Sequence, residues 1–147
     1  MLRSEPDAAL DDLIVALLEA AHGCDTAARL LHATEAAGLL ARLAGEHRQA
    51  AERFAELLRQ RGELPRLPDP EREAVRDGLE LTRTVLLGSE PEVLLGSRRV
   101  ELDHAHKILI TAAAWDWPEA VALQLASEGS RLLQVGEELD ALQAALR

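Results

Sequence analysis

The chain has 147 residues, of which 48% are hydrophobic, 29% charged and 2% aromatic, and 26 acidic against 16 basic residues give a formal net charge of −10. That length suits one domain, and leucine and alanine supply more than a third of the residues, the bias of a helical protein with a leucine-packed core. With Lys107 as its single lysine the chain has no basic face for phosphates, so neither nucleic acid nor an anionic membrane is an expected partner.

No apolar run approaches the roughly 18 to 20 residues of a membrane span, and acidic Glu5 and Asp7 do not suit a signal peptide, so a cytoplasmic protein is expected. Cys24 is the only cysteine, which excludes an internal disulfide and a CxxC redox pair. Tyrosine is absent, and with it tyrosyl-radical chemistry.

Ser4-Glu5-Pro6-Asp7 opens the first helix with a capping serine and early acids. Its apolar stripe is Leu10, Leu13, Leu17, Ala21, Cys24, Ala28 and Leu31, about 26 residues of helix at a period of 3.6. After a turn around Thr34, a second stripe of Leu40, Leu43, His47, Ala50, Phe54, Leu57 and Leu58 runs to a stop at Gly62. Asp69-Pro70 then provides a cap and a first-turn proline for a third helix of about 18 residues. Its stripe is Val75, Leu79, Thr82 and Leu86, ending near Gly88.

Ser89-Glu90-Pro91-Glu92 reads as a capping box before a fourth helix through Leu94, Leu95, Glu101, Ala105, Ile108 and Ala112. Asp116-Trp117-Pro118-Glu119 repeats the device before a fifth helix, with Val121, Leu125, Glu128, Leu132, Val135, Leu139, Leu142 and Leu146. No strand pattern, repeat or linker interrupts this order. Two long helices, a crossing segment and two more long helices predict an all-α fold: a single four-helix bundle over 1–147, joined by a helical crossover, with helices two and four parallel.

Polar side chains on the stripes are where chemistry would reside. At about 100° per residue, Glu128 falls mid-stripe on the fifth helix and Glu101 close to the fourth helix's apolar centre, while His47 holds a stripe position on the second. A buried carboxylate without a partner is costly, so these residues need one. His47, Glu101 and Glu128 would make a metal set suited to iron, manganese or zinc. The alternative is a core charge network of Glu101, Glu128 and Arg131, with His47 or Arg98 beside them. The Glu-x-x-His spacings Glu19/His22 and Glu101/His104, with His106 near, lie away from the stripes and are expected to face solvent, a crossing helix or a partner subunit. Cys24 reads as a small buried apolar residue.

The order of these elements, with Leu10-Asp11-Asp12-Leu13-Ile14, Glu46-His47-Arg48-Gln49, Phe54-Ala55-Glu56-Leu57, Arg61-Gly62-Glu63 and Glu101-Leu102-Asp103-His104, resembles the ferritin-like superfamily and within it the small bacterial stress-associated domains. Active di-iron members present one Glu on each of two helices and a Glu-x-x-His pair on each of the other two. Here Arg131 stands where the pattern wants the His after Glu128, and His47 and Ala50 stand where it wants Glu and His. Asp25 is the acid nearest the inner face of the first helix, and Glu19 points away from it.

The resemblance with this incomplete ligand set implies a degenerate metal site without a cofactor and an association or stress-related role. A homodimer or another helical protein would be the partner, with Leu87, Leu133, Trp115 and Trp117 as candidate contact residues. The alternative is an iron- or manganese-binding oxidoreductase or iron-handling protein. A histidine phosphotransfer domain, through His22 or His32, is a remote third reading, because neither histidine is followed by the lysine such domains use. No G-x-S-x-G elbow or phosphate-cradling glycine loop supports hydrolysis.

Overall fold

Capping chemistry sets where the first helices begin. In the computed structural model, which describes residues 3–32, 34–87 and 91–146 (over 80–87 the course of the helix only), Ser4 Oγ accepts from Asp7 N at 3.3 Å and starts α1 (Glu5–Leu30). Thr34 Oγ1 accepts from Ala37 N at 3.2 Å and starts α2 (Glu35–Gln60). Each hydroxyl satisfies one of the amides that a helix start leaves without an internal partner. Gly62, at φ +84°, ends α2: its amide bonds Arg59 O at 2.9 Å and the Glu63 amide bonds Leu58 O at 3.1 Å, the paired closure that favours glycine.

α3 (Pro70–Leu87) begins where Asp69 Oδ1 accepts from Glu71 N at 3.0 Å. α4 (Pro91–Ala113) and α5 (Glu119–Ala145) complete a chain that is 85% helical, with no strand among the described residues. No described helix is long and apolar enough to cross a membrane. Ser89 and Glu90 lie outside the described residues, as does Gly88. At α5 the N-cap is Pro118, which makes no side-chain cap bond because its ring carries no oxygen, so the expected device around Asp116 is not formed.

Ion pairs and hydrogen bonds fix the helix directions. α1 and α2 are antiparallel, with Asp25 joined to Arg48 at one end and Asp7 to Arg61 at 2.5 Å at the other. α1 and α4 are antiparallel too: Arg98 meets Gly23, while Ala9 and Asp12 share a small cavity with Ile108 and Thr111. Arg99 reaches Asp140 at 3.4 Å and Gln143 donates to Glu92 O at 3.3 Å, which sets α5 antiparallel to α4. Arg42 with Glu138, and Arg131 with His47, tie α5 antiparallel to α2. Helices α2 and α4 therefore run the same way.

Between these four helices lies one apolar core, including Leu10, Leu13, Leu17, Leu43, Phe54, Leu95, Leu125 and Leu132. At about 1.5–3 kcal/mol for each large side chain taken out of water, this burial is the main force opposing chain entropy. The segment leaving α2 returns along α1. Arg66 binds Asp11 through its amide and Nε, each at 2.7 Å, Arg76 pairs with Glu19 at 2.6 Å and His22 meets Asp77 at 2.9 Å.

This docking corrects the expected α3 stripe. Val75 is 61% exposed and Leu79 65% exposed, because the contacts α3 makes here are ionic. The side chains of Thr82, Leu86 and Leu87 lie outside the described residues. Trp117, expected as a contact residue, is buried instead: it is 8% accessible, its indole N–H donates to Ala112 O at 2.7 Å, and Arg61 lies 5.1 Å over its ring. Trp115 stays exposed.

Candidate functional site

Two polar assemblies interrupt the leucine packing, one between α2 and α5 and one where α1, α3 and α4 meet. In the first, Glu128 and Arg131 are one turn apart on α5, the spacing at which side chains share a face. Arg131 Nε donates to Glu128 Oε1 at 2.6 Å and Nη2 to Oε2 at 2.8 Å. The same Nη2 meets Nδ1 of His47, on α2, at 3.0 Å.

A guanidinium only donates, so His47 Nδ1 must accept, and the proton of a neutral ring then sits on Nε2. Burial, and next to it the Arg131 charge, push the His47 pKa down from 6.5 to about 3. The imidazole is thus neutral and its one lone pair is already used. Glu128 is 3% exposed and His47 2% exposed, so the assembly is closed off from water on these two sides. Arg131 Nη1 is buried and lies 3.8 Å from Glu46 Oε2, beyond hydrogen-bond length.

Glu101 belongs to the second assembly. Arg98, buried on α4, pairs through Nε with Glu101 Oε1 at 2.8 Å and donates through Nη1 to Gly23 O on α1. The helices approach closely at that crossing. A Cβ on Gly23 would stand 2.5 and 2.6 Å from the Glu101 oxygens and 2.8 Å from Arg98 Nη1. Cys24, next in the chain, is buried, and burial more than any neighbouring charge pushes its thiol up to about 12. An apolar, protonated thiol of this kind is unreactive.

The glycine geometry gives an expected contrast between two helix substitutions. Gly45→Ala on α2 meets nothing within 4 Å and should stabilise the chain by about 0.5–1 kcal/mol, the helix preference for alanine over glycine. Gly23→Ala gains the same preference but must displace the ends of the Arg98 and Glu101 side chains, and with them the Arg98 bond to Gly23 O, so it should be less stable than Gly45→Ala. Urea unfolding midpoints of the two variants measure it, and a Gly23→Ala protein as stable as Gly45→Ala would contradict the close approach.

Of the residues singled out from the sequence, His47 and Glu128 are therefore brought together, through Arg131, and Glu101 is held by Arg98. Among the described residues no group of three or more His, Cys, Asp or Glu side chains is gathered to hold a metal ion. Glu19 and His22, and Glu101 and His104, line a single cleft of about 690 Å³ between α1, α3 and α4. Inside it Glu19 is held by Arg76, and Asp77 accepts from Thr26 Oγ1 at 3.2 Å while facing His22. His22 thus faces α3.

Sequence reasoning passed over Asp7 and Asp11, both buried on α1. Acids in the first turns of a helix read as partners of its dipole, which hides a structural role. Their arginine partners, Arg61 for Asp7 and both Arg3 and Arg66 for Asp11, come from the ends of the chain segments that close over them. The signal that could have found Asp11 is its phase: it follows Leu10 and precedes Leu13 and Ile14 on the buried side. No protein-family model matches the chain, and no curated protein or solved structure is significantly similar to it.

Proposed function

We propose that this chain is a ferritin-like four-helix bundle, built of α1, α2, α4 and α5 with α3 as its crossover, in which a fixed ion-pair network replaces a metal centre and which works by association instead of redox chemistry. The observation that carries the reading is Arg131, which occupies both oxygens of Glu128 and the only lone pair of His47. A permanent cation there supplies the charge that a bound metal would bring, and leaves the ligand atoms engaged. The antiparallel pairings and the return of α3 along α1 support the bundle topology. The association role is supported by large apolar side chains standing out from α4 and α5, namely Val100, Ile110, Leu123 and Leu133.

Two measurements test it. Protein purified from iron- and manganese-replete cells is expected to hold under about a tenth of a metal ion per chain, since a working buried ligand set retains its metal. One equivalent of iron or manganese per chain, lost in Glu128→Gln, would overturn the non-metal reading. Sedimentation equilibrium is expected to show a dimer that Leu133→Glu converts to monomer. A strict monomer at high concentration sinks the homodimer form of the association reading.

A further inference from the structure

We propose that the cleft between α1, α3 and α4 binds a small amphipathic carboxylate, an alkyl acid whose head group lies at Arg72 and His104 and whose chain runs toward Leu79 and Val93. The proposal is independent of the ferritin-like reading. A volume of about 690 Å³ falls in the range of about 300–1,000 Å³ that holds small molecules, and such sites combine an apolar lining with a few polar groups that fix orientation.

The two ends of this cleft differ in chemistry. α3 runs parallel to α1, as Arg66 on Asp11 and Arg76 on Glu19 show. Arg72, one turn before Arg76, therefore stands at the Ala16 end. His104 stands at that end as well, because it also lines the small neighbouring cavity with Ala9 and Asp12. Leu79, Val93 and Gly96 lie toward the other end, beyond the Arg98 and Gly23 crossing. From Ala16 to Thr26 the α1 wall rises through ten residue steps, about 15 Å at 1.5 Å per residue, which suits a medium-length alkyl chain better than a compact metabolite.

Charge pairing decides the sign of the head group. Arg76, Arg98 and His22 are each engaged with a carboxylate of the cleft, whereas Arg72 and His104 make no hydrogen bond or ion pair with any described residue. Among the described lining residues Glu73 is the carboxylate without such a pair, and it is turned about 100° around α3 from Arg72. An alkylammonium would seek Glu73 alone, while a carboxylate finds two donors at one end. The apolar side chains Leu79 and Val100 at the rim are exposed, and the alkyl chain would cover them. With a net charge of −10 the chain is repelled by an anionic bilayer, so the free acid, not a membrane surface, is the source of the ligand.

The test is calorimetric titration of the full chain with dodecanoate below its micellar concentration. One site per chain is expected, and octanoate should bind at least tenfold more weakly, since each buried methylene tightens binding by roughly fourfold. The exposed pair of substitutions Arg72→Gln and His104→Gln should weaken dodecanoate at least tenfold with unchanged thermal stability, and Leu79→Ser should reduce the difference between dodecanoate and octanoate. Absence of binding overturns the proposal. So does an affinity for dodecylamine or dodecanol equal to that for dodecanoate, or an Arg72→Gln/His104→Gln variant that binds as the parent does. Binding to anionic phospholipid vesicles without binding of the free acid would overturn it in favour of a membrane surface.

Discussion

Arg131→Met should destabilise the chain by about 3–5 kcal/mol, the cost of leaving a buried charge without its partner. Glu128 has only 2% of its side chain exposed, and both of its oxygens are bound by the Arg131 fork. Methionine fills much of the arginine's volume, so the loss isolates the charge. The stranded carboxylate would lie buried without a partner, and His47 Nδ1 would lose its donor in the same step. Glu128→Leu together with Arg131→Met should recover most of the loss, because an apolar pair of similar volume removes both the attraction and the desolvation penalty. The four proteins of this double-mutant cycle, unfolded in urea, give the coupling directly. A single Arg131→Met variant within 1 kcal/mol of the parent would mean that the α2/α5 assembly is solvated and no substitute for a metal centre.

The same assembly marks how far the sequence could be read. The starts of α1 and α3 were legible because a cap is a local device: Ser4 and Asp69 each bond an amide two or three residues on, whatever surrounds them, whereas Thr34 was read only as a turn and the structure makes it the cap of α2. Pro118 shows the limit of that logic, since the acid two residues before it never comes within reach of a helix amide. The partnership of Glu128 with Arg131 was legible for the same reason, being set by one turn of one helix. Its third member required the register of α5 against α2, which no periodicity encodes.

Glu101 follows the same rule. Its phase on α4 was visible, but that it meets Arg98 over Gly23 depends on how closely α1 approaches, and a glycine in a helix does not announce which neighbour it admits. The α3 stripe failed for a different reason. Helical spacing says that Val75 lies on an apolar face and says nothing of whether another element covers it. Here the ion pairs of Arg76 and Asp77 with α1 hold α3 by its polar edge and leave Val75 and Leu79 in solvent.

The His47 ring gives the protein a stability that fades in mild acid. Unfolded, the imidazole titrates near its ordinary 6.5, whereas in the folded chain burial and Arg131 hold protonation off until about 3. Between those values the unfolded chain binds the extra proton, so folding stability falls as the pH is lowered through this window, at about 1.4 kcal/mol per pH unit for one group. Above 6.5 neither state is protonated and the ring adds no pH dependence. From pH 7 to pH 5 the expected loss is about 2 kcal/mol from this residue. His47→Gln isolates it: the amide oxygen can accept from Arg131 Nη2, and glutamine does not titrate. The parent should lose about 2 kcal/mol more than His47→Gln over that range in urea unfolding, since the carboxylates common to both proteins cancel in the difference. Parallel stability curves would show that His47 is protonated in the folded chain, and a cationic ring cannot accept from the Arg131 guanidinium.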